Sequence, residues 1–405
     1  MIRRNSWFEV LAKQQPGQVV DGGVRRALEE LDEVLFTFWA LGHNIILVWT
    51  RAASTLRFLA VRHYSILAEK PNDTDAAVNA RSPHAFMNAV LAAPKFADPA
   101  EFLAIEQALG DTAQVLEVRF PAVTDAVIPL VSSLVTRYSV TLVRGRAVVL
   151  LDAVGFSLGS PLEQVAMLNS LGYSVNSAYN QLLSKGVDVN FARTTTGDGF
   201  YIWNRATDDA ANVALYELMM LILADNAVAK RKAKGLTVPE LRAAFHVGEH
   251  YEFYQVEALN PTAFGYIVGH VTIELARILA RARPGQILLG DFMSGNDGQD
   301  TDSGEIDDTP AFVERTARSL AALKGLALAD DRISSVSCYL TGSPASDGRF
   351  SITRYEVEDK HGARRFVYNA KVNIHCEQAD PLFLGLQHKD VRPGTRRLQF
   401  PWPVV

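Results

Sequence analysis

Two aspartates stand where a chain can place carboxylates for phosphate chemistry. Asp152 follows a short strand-like run at 146–151 and precedes Ala153, Val154, Gly155, Phe156 and Ser157. Its carboxylate would therefore sit beside a small loop whose backbone N–H groups can cradle phosphate oxygens. Asp198 lies between Gly197 and Gly199, at the tip of a predicted hairpin. Pairing that hairpin beside the 146–151 strand would bring the two carboxylates close enough to share divalent ions about 3.5–4 Å apart. Singly, each aspartate also reads as an ordinary turn residue, and it is their joint context that points to phosphoryl transfer. Such chemistry further needs a cation where negative charge accumulates. Arg242 and Arg277 are the candidates, although either alone is equally a surface ion-pair residue.

The elements that must position these groups are legible nearby. After the 146–151 strand, Ser160, Pro161 and Glu163 supply an N-cap, a first-turn proline and a capping-box acid for a helix reaching about 185. Runs at 189–195 and 200–203 predict the hairpin strands. A helix from about 208, a strand at 241–247, a helix at 270–282 and a strand at 286–289 follow. Short apolar strands alternating with long helices predict a mixed α/β or α+β domain. Residues 1–140, by contrast, read as mostly helical, with breaks at 71–75, 94–99 and 121–129 and no motif that carries chemistry. The stretch 34–49 lacks Lys, Arg, Asp and Glu for 16 residues. It falls short of the ~20 that span a bilayer, and His43 and Asn44 lie within it, so it reads as a buried or dimer-forming helix. Beyond it Arg51, Arg57 and Arg62 interleave with Leu56, Phe58, Leu59 and Val61, a pattern compatible with weak association with a membrane surface.

Bulk properties exclude some classes. The 405 residues suffice for two or more domains, and 48% hydrophobic with 21% charged residues is an ordinary globular composition. A net charge of −5 offers no broad basic footprint for nucleic acid. Cys338 and Cys376 lack metal-ligand spacing, read as buried free thiols and suit a reducing cytoplasm. Arg3 and Arg4 are not followed by an apolar stretch with a cleavage site, so no secretory signal is read. The Asp- and Gly-rich segment 291–308 lacks the regular ligand pattern of a calcium loop and reads as a solvated loop.

In four ordered segments the chain resembles the class III adenylyl and guanylyl cyclases. Leu151 to Ser157 are similar to the first metal motif of that family, and Gly197 with Asp198 to the second. Arg242, Ala243, Ala244, Phe245, His246, Val247 and Gly248 are similar to its Arg-Ile-Gly-Ile-His-x-Gly strand, with Ala244 replacing the first glycine. Residues 269–277, followed by Pro284, Gly285 and Gln286, are similar to the helix that carries a transition-state arginine and the strand after it. The resemblance covers about 145–292 and continues weakly to about 360. It implies an α+β fold, a ferredoxin-like mixed sheet with flanking helices, over 145–362. The regions 1–140, regulatory or dimer-forming, and 363–405, a strand and extended tail, would lie on either side. It also implies a nucleoside triphosphate as substrate and a 3′,5′-cyclic nucleotide plus pyrophosphate as products. Two Mg²⁺ or Mn²⁺ ions would be held by Asp152, the backbone of Ala153, and Asp198. Gly155, Phe156 and Ser157 would bind substrate, Arg277 would neutralise charge at the α-phosphate, and Arg242 would contact phosphate. A homodimer with composite sites is implied as well.

The pattern departs from the family where the base is read. Thr194 stands four residues before Asp198, where the family usually carries Lys or Glu, and Tyr266 stands at the usual partner position. A bulky ring with two hydroxyls favours a pyrimidine and resembles the pyrimidine cyclases of bacterial anti-phage signalling, whose product acts on a separate effector. The alternative is that Tyr266 packs in the core and the base is adenine. Ile273 replaces the usual transition-state asparagine, with Thr272 as an adjacent substitute, so a non-catalytic pseudocyclase is a further alternative. Thr341 and Gly342 stand where a phosphate-binding Lys-Gly pair is usual, leaving Arg349, Arg354 or Lys360 to serve instead.

Overall fold

The computed structural model describes residues 22–67, 83–120, 124–256, 263–295, 307–343, 351–358, 362–391 and 396–399. The chain divides into two compact units, Met1–Val143 with Tyr251–Ile267, and Arg144–His250 with Val268–Val405.

In the first unit, helix α1 (Gly22–Trp39) buries Leu28, Leu31, Leu35 and Trp39, a spacing of three and four residues that makes one apolar stripe. The predicted helix over 34–49 is corrected here. Ala40, Leu41 and Gly42 take positive φ angles of 48°, 56° and 92°, which stops the helix, and Asn44 Nδ2 donates to Phe38 O at 2.6 Å. The β-branched and aromatic residues that follow form strand β1 (Asn44–Ala52), antiparallel to β2 (Thr55–Arg62). Helices α2 (Pro83–Ala92) and α3 (Pro99–Leu109), strand β3 (Gln114–Arg119) and helix α4 (Ile128–Arg137) complete the set. The region expected to be mostly helical thus contains a three-stranded sheet, β1-β2-β3, beside helices α1 to α4. Helices α1 and α4 pack with Trp49, Leu56 and Phe58 in one apolar cluster, and α2 and α3 with Leu47, Leu59 and Val61 in another. The interleaved arginines are strand residues, and two of them have acidic partners. Arg57 pairs with Glu117 at 3.1 Å and Glu106 at 3.4 Å, and Arg51 with Asp125 at 3.2 Å.

Strand β4 (Val140–Val154) leads into the second unit. It is followed by α5 (Pro161–Ser184), the hairpin β5 (Phe191–Thr195) and β6 (Gly199–Asn204), α6 (Asp209–Lys232), β7 (Glu240–Val256), β8 (Ala263–Val268), α7 (His270–Leu279) and β9 (Ile287–Gly290). Then come β10 (Met293–Ser294), β11 (Asp307–Asp308), α8 (Thr309–Ser319), β12 (Ala327–Leu328), β13 (Asp331–Leu340), β14 (Thr353–Glu358), β15 (Arg364–Cys376), β16 (Leu382–Leu384) and β17 (Arg396–Gln399). A 12-stranded sheet runs β12-β13-β15-β9-β7-β4-β6-β5 along its main path. β7 and β9 are parallel, whereas β4 with β6, β5 with β6, and β15 with β9 and β13 are antiparallel. The unit is α+β with a large mixed sheet and flanking helices.

Period-two alternation decides which side chains meet. Ala147, Val149 and Leu151 of β4, Ala243, Phe245 and Val247 of β7 and Ile202 of β6 share one core with α5, α6 and α8. Asp152, Arg242 and Tyr201 consequently point to the other face. α6 is long and apolar enough to cross a membrane, but 83% of that stretch is buried inside the protein. The strand expected at 365–376 is β15, but it lies between β9 and β13 inside the main sheet, and the expected extended tail is corrected where β16 pairs with β15 and β17 with β14. Pro393, Pro401 and Pro403 fall outside the described residues, as do Arg349 and Lys360. Of the two thiols, Cys338 is buried and pushed up to about 12 by that burial, while Cys376 is only partly covered.

One backbone approach sets the geometry of this sheet. A Cβ at Gly199 would lie 1.9 Å from Leu151 O. Gly199→Ala is therefore expected to destabilise the fold by about 2–3 kcal/mol through steric displacement, read as a lower urea midpoint, with a correspondingly larger loss of divalent-ion binding.

Candidate active site

The β4–β6 register pairs Asp152 with Gly199, which places Asp198 beside the end of β4. Ala153 N donates to Asp198 O at 3.0 Å, so the backbone itself joins the two aspartates. Gly197, at φ +100°, makes the turn that delivers Asp198, and Thr195 Oγ1 accepts from Gly197 N at 3.0 Å. The Asp198 carboxylate lies near enough to act on the ionisation of Asp152. Asp152 is buried, and its Oδ2 accepts from Arg242 Nε at 2.6 Å. Burial is the main cause that lifts the Asp152 pKa above the ordinary carboxylate value. Arg242 opposes the rise and the neighbouring Asp198 carboxylate adds to it.

Beyond β4, Gly155 takes φ +68° and opens a 3₁₀ turn, Phe156–Leu158. Phe156 and Ser157 stand at the start of that turn, where N–H groups have no carbonyl within the turn to bond. The turn feeds α5 through a capping box. Ser160 N donates to Glu163 Oε2 at 2.7 Å, and Glu163 N donates back to Ser160 Oγ at 3.4 Å. Two carboxylates and a run of backbone donors thus border one small loop.

Residues predicted from sequence fall into two groups. Asp152, Ala153, Gly155, Phe156, Ser157, Asp198 and Arg242 come together at the β4 end. Thr194 faces Tyr201 across β5 and β6, and Tyr201 faces Leu150 of β4, so Thr194 shares the sheet face of Asp152. Arg277 lies on α7, which packs against β9 through an apolar stripe of Val271, Leu275, Ile278 and Leu279. Tyr266 belongs to the first unit, where its ring stacks on Phe253 with centroids 5.6 Å apart. Neither unit by itself contains both Thr194 and Tyr266.

Several expected substitutes are otherwise engaged. Thr272 Oγ1 donates to Gly269 O at 2.9 Å and accepts from Gly269 N at 3.2 Å, so its hydroxyl caps α7 instead of replacing an asparagine. Ile273 is 47% exposed. The Arg354 guanidinium pairs with Asp291 and lies 3.8 Å over the Phe366 ring. Thr341 accepts from Asn369 Nδ2 at 2.8 Å in the core. The ends of the acidic segment are tied down too: Asp308 caps α8 and Arg315 pairs with Asp307. The intervening residues 296–306 lie outside those described. His246 is a core residue with a pKa lowered to about 4, chiefly by burial, and is held neutral against Gly290.

Sequence reasoning missed Tyr201 and the Glu274–Arg365 pair. Tyr201 Oη donates to Thr272 O at 3.0 Å and ties the Arg277 helix to β6, while Arg365 Nε reaches Glu274 Oε2 at 3.0 Å. Alternation along 199–203 carried the signal for Tyr201, because it sets Tyr201 on the Gly199 side.

The site fits hard divalent ions. Its donors are carboxylate oxygens, and burial, with a smaller addition from Asp198, raises the Asp152 pKa. Among the described residues no cluster of three or more His, Cys, Asp or Glu exists. Mg²⁺ and Mn²⁺ sites of this kind take one or two carboxylates and complete the shell with phosphates and water.

No family model matches the sequence, and no curated protein does. Solved structures similar to this chain include the guanylyl cyclase Cya2, with 12% identity over 57% of this chain and 92% of that one, TM-score 0.35. Another is the guanylate cyclase domain of RhGC from Catenaria anguillulae in complex with GTP, at 12% identity over 58% and 98%, TM-score 0.34. The adenylyl cyclase CyaB from P. aeruginosa has 15% identity over 57% and 95%, TM-score 0.33. At such identities and scores the function has to be read from the residues of the site.

Because the folded pKa of Asp152 is raised, its contribution to metal-free stability is complete below the unfolded carboxylate pKa and lost as pH rises through the folded value. Asp152→Asn in chelator is therefore expected to melt at or above the parent at pH 7, with the difference vanishing below about pH 4. Scanning calorimetry across pH checks this. Mn²⁺ should stabilise the parent and not the variant.

Proposed function

We propose that this chain is a nucleotidyl cyclase that converts a nucleoside triphosphate to a 3′,5′-cyclic nucleotide and pyrophosphate. The observation that carries the reading is the juxtaposition of Asp152 and Asp198 on paired strands beside a loop of backbone donors. Two divalent ions, when bound, would supply activation of the ribose 3′-hydroxyl and neutralisation of the triphosphate. The two carboxylates and the backbone of Ala153 would hold them in place. The amides of Phe156 and Ser157 donate to phosphate oxygens. As the 3′-oxygen bonds to the α-phosphorus and the bond to pyrophosphate breaks, Arg277 supplies a guanidinium for the charge that builds there. The hydroxyl proton leaves to solvent.

A homodimer with composite sites is part of this reading. Leu158 and Leu162, on and beside the site loop, are 85% and 79% exposed, an unusual investment of apolar surface next to a polar site. Thr194, a neutral hydroxyl on the site face, supports a pyrimidine base and so cyclic UMP or cyclic CMP. Such a product would act on a separate effector, as in anti-phage signalling; cyclic AMP is the competing product. A pseudocyclase reading draws on Ile273, whose side chain brings no hydrogen-bond donor to the Arg277 helix.

Purified protein with Mn²⁺ and each of ATP, GTP, CTP or UTP should yield a cyclic nucleotide identifiable by mass spectrometry, strongest with UTP or CTP. Asp198→Ala should lower turnover about 10³-fold or more, since metal activation of the nucleophile is lost. Cyclic AMP alone would remove the base assignment, and binding without turnover from any triphosphate would replace the enzyme with the pseudocyclase.

A further inference from the structure

Arg242 is doing something that phosphate binding does not explain. Its Nε donates to Asp152 Oδ2 at 2.6 Å, and its Nη1 donates to Ala282 O at 3.3 Å. The guanidinium therefore spans from a metal-binding carboxylate on β4 to the turn that follows the Arg277 helix, three residues past Leu279. The pair is sheltered, with side-chain exposures of 28% and 13%. A cation in that position supplies the counter-charge that a divalent ion would otherwise supply. A planar fork can make both bonds at once, whereas an ammonium is a single point charge.

We propose, building on the cyclase reading, that Arg242 is a latch that holds Asp152 until the metal and the triphosphate arrive together. A divalent ion alone must displace a close guanidinium from Asp152 and leave it without an anion. A metal–triphosphate complex replaces the lost partner, because phosphate oxygens accept the fork that the carboxylate releases. Metal and nucleotide then bind with positive coupling, and either one strengthens the other by the same factor.

Mn²⁺ binding to the full-length protein, followed by electron paramagnetic resonance with and without a non-cyclisable triphosphate analogue, tests this. Arg242→Gln should bind Mn²⁺ alone about fivefold or more tightly, the size expected of a sheltered ion pair, and should lose the enhancement that the analogue gives the parent. Arg193→Gln makes the same charge change on β5, where Arg193 stacks on Phe200 at 5.0 Å. It should stay within about twofold of the parent, which separates a latch from general electrostatics. Arg242→Lys should bind nucleotide-free Mn²⁺ more tightly than the parent although the charge is kept, because one ammonium cannot make both bonds. Unchanged or weaker Mn²⁺ affinity in Arg242→Gln, while Asp152→Asn abolishes binding, would overturn the latch and leave the metal site standing. If Asp152→Asn binds Mn²⁺ as the parent does, the metal site and the latch both fall.

Discussion

The carbonyl of Leu151 runs so close to the backbone of Gly199 that no side chain fits between them. With a glycine there, β6 lies flat against β4, and Asp152 stands opposite the residue that follows Asp198. The hydrogen bond from Ala153 N to Asp198 O then closes the pair. Two acids separated by 46 positions in the chain become neighbours through backbone pairing, before any side-chain contact is counted. Side chains on the other face of the same strands supply the core that keeps the pairing in place.

Such crowding has an electrostatic consequence. A buried carboxylate beside another carboxylate is costly to ionise, and Arg242, reaching across from β7, offsets that cost. The same pair of acids offers hard oxygen donors of the kind that Mg²⁺ and Mn²⁺ take.

The helix with Arg277 is held by quite different means. Its apolar stripe packs on the sheet, Thr272 caps its first turn, Tyr201 fixes that turn to β6, and Arg365 holds Glu274. Orientation of the arginine thus depends on groups from strands β6 and β15 as well as on its own helix. Ile273 remains outside these contacts and exposed. The polar donor usual at its position is absent from the described part of this chain's own helix.

How much was legible in the sequence follows from the range of the forces involved. Local signals were sufficient for the capped start of α5, where Ser160, Pro161 and Glu163 act within one turn, and for the glycine-flanked tip holding Asp198. The strand that ends at Asp152 and the alternation that turns Asp152 and Arg242 to one face are equally local. The 34–49 run was misread because an uncharged apolar stretch has no period of its own. It became half helix and half strand when Ala40, Leu41 and Gly42 turned the chain and β2 offered hydrogen bonds. The strand at 365–376 was legible as β15, whereas its place between β9 and β13 and the pairing of the residues after it were not, because sheet partners far away in the chain decide both. The sequence by itself determined which residues could do chemistry and which local elements carry them, since caps, turns and alternation act over a few residues. Only the tertiary structure decided that Arg242 rests on Asp152, that the Thr272 hydroxyl is consumed by a cap and that Tyr201 anchors the Arg277 helix, because these contacts join residues brought together by sheet pairing and packing.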